Sequence, residues 1–313
     1  MRHFDSAVAR DALSRWEGDA TDLAHIATSG NAVYRFRVAG ADRILRLTDL
    51  AFRSSAHQAA EMAFLGHLQA CGVRANAPVP SRSGRTLELF DECTACVLTW
   101  APGIRVDPGT EHWTPAFLRE WGATLGRIHA AAQSYSGPRR WPWFEEGLIT
   151  GVGRLLPAKN HRARDEFERV RDHLHALPAP RETFGMTHAD FAQQNFNFEP
   201  GVGITPFDFG NCCDHWFVSD IVISLSTFRR LPERARYRDD VLAGYREVRS
   251  LSGAEWAERH WFLRLRLLYV YLSRLEMFGT RPDEEQRATL ERLEGLVTRR
   301  GGQREFDDVV GWL

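Results

Sequence analysis

The stretch MTHADFAQQNFNFEPGVGITPFDFGN, Met186 to Asn211, decides how this chain is read. Its segments NFNF and ITPFDF suit strands, and EPGVG between them suits a turn, so the stretch reads as a hairpin entered by a polar loop. His188, Asp190, Asn195 and Asp208 gather around that hairpin. Symmetric closure around Pro200–Gly203 would set Asn195 opposite Asp208, and directly opposed Cβ atoms on one face lie about 5 Å apart. A carboxylate and a side-chain carbonyl at that spacing suit Mg²⁺, which takes a few protein oxygens and completes its shell with water and phosphate. Asp190, in the entering loop, is then placed to orient a hydroxyl and accept its proton.

Outward from the hairpin, the chain changes character near residue 100. Residues 4–17 read as a short amphipathic helix. AVYRFRVAG and DRILRLTD alternate apolar and polar residues around Gly40-Ala41-Asp42, a hairpin signal. Ser54–Gly72 is a helix with a Ser cap and a Gly stop, and SGRTLELFDECTACVLTW reads as two more strands. Pro102 and Gly103 break the pattern. Beyond them PAFLREWGATLGRIHAAAQ carries a helical stripe (Leu118, Trp121, Leu125, Ile128, His129), and further amphipathic helices run to the C-terminus. The fold class is therefore α+β, with a small β-rich lobe over 1–100 and a larger, mostly helical lobe over 101–313 that carries the hairpin. A site between lobes is a common place for a small molecule.

At 43% hydrophobic and 26% charged residues, the chain has the composition of a soluble globular protein. A formal charge of −1 gives no electrostatic footprint for nucleic acid. Five cysteines is an odd, low count: Cys93 and Cys96 lie in a strand and read as structural thiols, and Cys212, Cys213 and His215 lack a spaced fourth ligand. This usage fits a reducing compartment. The N-terminus has no apolar signal core, and no run of about 18 apolar residues occurs, so a cytoplasmic location is expected.

The pattern H-x-D-x-x-x-x-N, followed 13 residues later by D-F-G, resembles the catalytic and metal-binding segments of the protein-kinase superfamily. The run from Gly185 to Leu225 is similar to the aminoglycoside phosphotransferase and choline kinase branch, and to a bacterial subgroup of spore-coat CotS-like and type II homoserine-kinase-like proteins. That resemblance implies a bilobal protein-kinase-like fold using ATP and Mg²⁺. It makes Asp190 the catalytic base, with His188 bracing the catalytic loop, and Asn195 and Asp208 the metal ligands. Arg46, in the second strand, takes the place of the phosphate-contacting Lys, with Glu61 as its ion-pair partner. Ser29, Gly30 and Asn31 form the loop over the phosphates, Thr99 and Trp100 the adenine-contacting linker, and Asp220 a helix N-cap that braces the catalytic loop.

Two residues depart from the branch: Gly210 replaces a frequent second Asp, and Arg46 replaces Lys. Ala189 stands where protein kinases carry Arg, and nine residues between Gly210 and Asp220 leave no room for an activation segment. The acceptor is therefore expected to be a hydroxyl of a small molecule: an amino alcohol, a sugar or an aminoglycoside. The alternatives are a nucleotide-binding pseudoenzyme acting through a partner, and a protein kinase of the bacterial stress type. Trp141, Trp143, Trp216 and Trp261 read as packing residues or as walls of an acceptor pocket. Arg264 and Arg266 read as ion-paired, or as contacts for an anionic acceptor.

Overall fold

The computed structural model describes residues 4–28, 30–156 and 160–298, so Ser29 lies outside the described residues. Along the chain come α1 (Ser6–Leu13), β1 (Asp19–Thr28), β2 (Asn31–Val38), β3 (Ala41–Asp49), α2 (Ser55–Ala70), β4 (Pro78–Val79), β5 (Glu88–Leu89) and β6 (Cys93–Thr99). Then follow α3 (Pro115–Ser134), α4 (Gly147–Thr150), α5 (Val152–Leu155), α6 (His161–Ala176), β7 (Phe184–Thr187), β8 (Phe196–Glu199), β9 (Gly203–Pro206) and β10 (Cys213–Trp216). The chain continues through α7 (Phe217–Leu225), α8 (Arg234–Val248), α9 (Gly253–Ala257), α10 (Arg259–Phe278) and α11 (Glu284–Val297).

These elements fall into two compact units. Of the described residues, the first holds those up to Trp113, Ser134–Arg140 and Gln194–Cys212; the second holds those of Thr114–Gln133, Trp141–Gln193 and from Cys213 to Thr298. The single boundary expected at residue 100 is thus replaced by several crossings, and the β8–β9 hairpin belongs with the sheet. Backbone bonding explains why. Ile104 and Phe198 exchange N–H···O bonds of 2.8 and 2.8 Å, the Asn76 N–H donates to Pro206 O at 2.9 Å, and Asn197 Nδ2 donates to Ala101 O at 2.8 Å.

In the first unit the sheet is antiparallel, in the order β1-β2-β3-β6-β4, with β5 also paired to β6. Period-2 alternation sends Tyr34, Phe36, Leu45, Leu47, Ala95 and Val97 into one core with Ala9, Ala12, Leu13 and Trp16 from α1 and its exit. The Tyr34 hydroxyl donates to Phe4 O at 2.7 Å and Trp16 Nε1 to Val79 O at 2.9 Å, so both large rings keep a polar partner while buried. The β2–β3 turn is Ala39-Gly40, both at positive φ (49° and 79°), as a two-residue hairpin loop demands. β1 is a strand that the sequence reading omitted, which makes β3, carrying Arg46, the third strand rather than the second. Ser54 caps α2 through His57 N–H as expected.

The second unit is built on α7, every residue of which is buried. α3 and α8 cross at closest approach: a Cβ on Gly122 would stand 1.8 Å from Val241 O, and one on Gly244 would stand 1.9 Å from Arg119 O. Only glycine permits two helix backbones this near one another. β7 and β10 form a short antiparallel ribbon, with Thr187 opposite Cys213 and Phe184 opposite Trp216. Among the described residues no helix is long and apolar enough to cross a membrane.

Candidate active site

One face of the first unit's sheet carries a pocket of about 250 Å³. Ile26, Ala27, Val33, Ile44, Leu98 and Phe207 supply apolar walls, while Asn31, Arg46, Asn76, Thr99, Trp100 and Asp208 supply polar groups. At the residues expected to form the linker, the Thr99 N–H donates to Ala77 O at 2.9 Å, Thr99 Oγ1 accepts the Ala77 N–H at 2.8 Å, and Trp100 lies under the Arg35 guanidinium at 4.8 Å. Asn31 accepts from Thr48 Oγ1 at 2.7 Å, and Gly30 holds φ 77° against the Phe52 ring.

Arg46 and Glu61 meet as expected, Nη1 to Oε1 at 2.7 Å, with both side chains buried. Burial alone would raise the Glu61 carboxyl pKa; Arg46, then Arg140 and Arg53, hold it below the usual range instead. Arg140 stands 3.9 Å from Glu61 Oε2 and donates from Nη1 to Gly210 O at 2.8 Å. Arg53 donates to Asn211 Oδ1 at 2.9 Å; burial, reinforced by Arg140, pushes its pKa down to about 10. Sequence reasoning missed Arg53 and Arg140, which lie in loops with no motif around them. Arg46 Nε and Nη2 are buried and have no hydrogen-bond partner among the described residues, and Asn76 Oδ1 shares that condition. Two unsatisfied guanidinium donors in an apolar-walled pocket fit an anionic group such as phosphate.

The hairpin register differs from the symmetric closure. Phe196 pairs Pro206 and Glu199 pairs Gly203, so the extrapolated partner of Asn195 is Phe207, whose N–H donates to Asn195 O at 2.9 Å. The turn uses three residues, with Gly201 at φ 77° and the Val202 N–H donating to Glu199 O at 3.0 Å. Shortening the loop by one residue shifts every pairing by one, so Asn195 and Asp208 are not directly opposed. Asp208 instead leaves the strand in the left-handed region, at φ 61°, ψ 59°, with its side chain exposed into the pocket. A non-glycine residue held there is uncommon and marks a locally constrained backbone. Asn195 is buried at the end of a 3₁₀ turn. Gly210 follows closely: a Cβ there would stand 3.1 Å from Asp208 Oδ1 and 3.3 Å from Arg53 Nη1.

The second unit positions His188 and Asp190. His188 is fully buried, and Asp190 is partly exposed beside Arg266, whose Nη2 donates to Asp190 Oδ1 at 3.1 Å. Asp220, in the first turn of α7, accepts the His188 and Ala189 N–H groups at 2.7 and 2.7 Å. Ala189 is at φ 61°, so these two bonds hold a strained loop. Behind them runs a buried chain of donors. Arg249 Nη1 donates to the Tyr245 hydroxyl (2.7 Å), which lies 2.9 Å from His129 Nδ1, and His129 Nε2 lies 3.3 Å from Asp220 Oδ2. With Arg249 always a donor, the tautomer that satisfies every member has Tyr245 donating to Nδ1 and Nε2–H donating to Asp220. Burial holds the His129 pKa below its usual value against the pull of Asp220, which matches that neutral tautomer. Trp143 and Trp216 are buried among His215 and Phe262, and Trp261 stacks on His173 at 3.9 Å, so these three are packing residues.

The sequence from 25 to 262 matches the phosphotransferase enzyme family. The chain belongs to that family. Among its relatives is the amicoumacin kinase of Bacillus subtilis (strain 168), 28% identical over 88% of this chain and 86% of that one. Another is the homoserine kinase of Methylobacterium radiotolerans, 30% identical over 67% of this chain and 66% of that one. Among solved structures, an amicoumacin kinase in complex with AMP-PNP, Ca²⁺ and Ami superposes with a TM-score of 0.88 at 25% identity, covering 95% of this chain and 93% of that one. The family member described here therefore has the protein-kinase-like phosphotransferase fold, and its named relatives are small-molecule kinases.

Proposed function

We propose that this enzyme transfers the γ-phosphate of ATP to a hydroxyl of a small molecule, with Mg²⁺ as the divalent ion. The carrying observation is the pocket in which Arg46 leaves two buried donors unsatisfied while Asp208 turns its exposed carboxylate inward. Those donors suit phosphate oxygens, and Glu61 fixes the guanidinium that presents them. The apolar walls and the backbone of Thr99–Ala101 suit an adenine ring. Asn195 and Asp208 supply a carbonyl and a carboxylate oxygen, the donor set that would hold Mg²⁺. When bound, that ion neutralises charge on the phosphate oxygens.

Asp190 orients the acceptor hydroxyl and takes its proton, and Asp220 keeps the loop bearing it in one conformation. The named activities of the relatives, on amicoumacin and homoserine, support a small-molecule acceptor over a protein. The test is ATP consumption with Mg²⁺ across amino alcohols, sugars, hydroxylated amino acids and aminoglycosides, beside Asp190→Asn and Asp208→Asn. Asp190→Asn is expected to lower turnover at least ~100-fold while AMP-PNP still binds. Asp208→Asn keeps a residue that tolerates the left-handed backbone and is expected to lose the metal-dependent part of nucleotide binding. Full turnover in the first variant, or unchanged metal dependence in the second, would overturn the assignment. Tight AMP-PNP binding without transfer to any acceptor would favour a pseudoenzyme.

A further inference from the structure

We infer that Arg53 is a second phosphate-binding cation of this enzyme, holding the outermost phosphate of the nucleotide beside Asp208; this rests on the kinase reading above and deepens it. Strand β3 sets the scale along the pocket. Arg43 pairs with Thr99, Arg46 with Val33, and Thr48 with Asn31. At 3.4 Å per residue, Arg46 stands ~10 Å beyond the level of Thr99, and Thr48 ~17 Å beyond it. A nucleotide with its ring at Thr99 and its first phosphates at Arg46 therefore carries its last phosphate on toward the Asn31 end.

The turn after β3 delivers Arg53 to that end. The Ala51 N–H donates to Asp49 Oδ1 at 2.9 Å, and the Phe52 and Arg53 N–H groups both donate to Asp49 O, at 3.0 and 3.0 Å. The Phe52 ring then lies against Gly30, where a Cβ would stand 2.7 Å from it. The Arg53 guanidinium sits 5.0 Å from the centre of the same ring, and its Nη2 donates to Asn211 Oδ1 at 2.9 Å. Its Nη1 and Asp208 Oδ1 border one methyl-sized space over Gly210, 3.3 and 3.1 Å from where a Cβ would stand. Arg53 thus spans from the ring beneath Gly30 to the carboxylate that lines the pocket, and all of these residues belong to the first unit.

Charge and space both favour this role. Arg46 and Arg140 share Glu61 at 2.7 and 3.9 Å, and Arg140 turns its Nη1 to the backbone oxygens of Phe209 and Gly210 at 3.3 and 2.8 Å. Arg53 meets the neutral side chain of Asn211 instead. Three guanidinium groups against the carboxylates of Glu61 and Asp208 leave an excess of positive charge, which suits a polyphosphate. Gly210 fits the same account. Any side chain there would press on both Asp208 Oδ1 and Arg53 Nη1, and a carboxylate would pair with Arg53 and draw it from the nucleotide. The glycine that departs from the frequent second Asp therefore keeps Arg53 available beside Asp208.

The test is calorimetric titration of AMP-PNP, ADP and AMP, each with Mg²⁺, on the wild type, Arg53→Gln, Arg53→Lys and Gly210→Ala. Arg53→Gln is expected to weaken AMP-PNP about tenfold, the loss of one charge-assisted hydrogen bond, and to leave AMP unchanged, with ADP between them. Arg53→Lys keeps the charge and is expected to recover most of that loss. Equal weakening of all three nucleotides would give Arg53 a structural role through Asn211 and Phe52 and overturn the inference. Gly210→Ala leaves Arg53 in the chain but crowds its Nη1, so it is expected to weaken AMP-PNP selectively as well. Combined with Arg53→Gln it is expected to add little further, and fully additive losses would refute the shared space over Gly210. Should Arg53→Gln fail to fold, Arg53→Lys and Gly210→Ala carry the same comparison. AMP-PNP bound by the wild type with no selective loss in any variant sinks this inference and leaves the kinase reading standing. No nucleotide bound by the wild type sinks the kinase reading and this inference with it.

Discussion

Glu61 is the residue on which the first unit's buried charge turns. Its carboxylate is 1% exposed and answers Arg46 at 2.7 Å and Arg140 at 3.9 Å, with Arg53 contributing from further off. Glu61→Gln keeps the shape but leaves these guanidinium groups without a buried counter-charge. Breaking such a group by removing one partner costs about 3–5 kcal/mol, far more than an intact buried pair contributes. The contrast is Arg74–Glu199, also 2.7 Å long but about one-third exposed on each side, at 34% and 39%. Glu199→Gln is expected to cost less than about 1 kcal/mol. Urea unfolding of both variants checks the difference, and equal losses would show that the Glu61 charge is not what holds these arginines in place. Arg46 and Glu61 were legible because the resemblance to the protein-kinase superfamily assigns an ion pair to a strand and the helix after it, and patterning and capping located those two elements. Arg53 and Arg140 were not, because tertiary folding alone brings their loops to Glu61.

Among the elements, α7 is the support of the His188–Asp190 loop proposed to carry catalysis. Its apolar run FVSDIVISL fixes the helix in the core, and that burial aims Asp220 at the loop from inside the protein. Asp220→Asn keeps one acceptor oxygen but turns an NH₂ group toward a second amide N–H. The two donors then face each other in a dry site, at a cost of about 1–3 kcal/mol. Ala189, whose left-handed backbone itself costs roughly 1–2 kcal/mol, loses half of what holds it. The expected result is a fall in kcat with AMP-PNP affinity unchanged, because the pocket proposed for the nucleotide is lined wholly by the first unit. Steady-state kinetics beside calorimetry would expose an error if affinity fell in step with kcat. The sequence placed Asp220 at a helix N-cap, whereas the N-cap of α7 is Trp216 and Asp220 lies one turn inside; the α2 and β6 segments were plain from caps and patterning. The hairpin register was off by one residue, since a turn of three residues and one of four share the same glycines and proline. His129 was visible on the stripe of α3 as a polar residue at an apolar position; only the meeting of α3, α7 and α8 reveals its partners.

For the whole molecule, buried groups in both units set the response to acid. Burial depresses the His215 pKa to about 3, and its Nδ1 already accepts the Trp216 N–H at 2.9 Å. His129 is also held low by burial, while Glu61 and Asp220 are held low by their partners against burial. Each group therefore binds its proton less readily folded than unfolded. The stability they contribute is complete above the unfolded pKa values and is lost as pH falls, beginning near 6.5 for the histidines and near 4 for the carboxylates. Each histidine adds a slope of about 1.4 kcal/mol per pH unit within its window, which continues to about pH 3 for His215. A domain with 5–15 kcal/mol of total stability cannot sustain two such slopes for long. The urea midpoint is therefore expected to fall steeply between pH 6.5 and 4.5, before most carboxylates titrate. His215→Phe removes the whole of the His215 slope. The variant loses packing and the Trp216 N–H acceptor at pH 7, so its starting stability is lower. Its acid slope is nevertheless expected to be shallower by about 1.4 kcal/mol per pH unit. A slope identical to wild type would assign the acid sensitivity to charge repulsion across the molecule rather than to buried histidine.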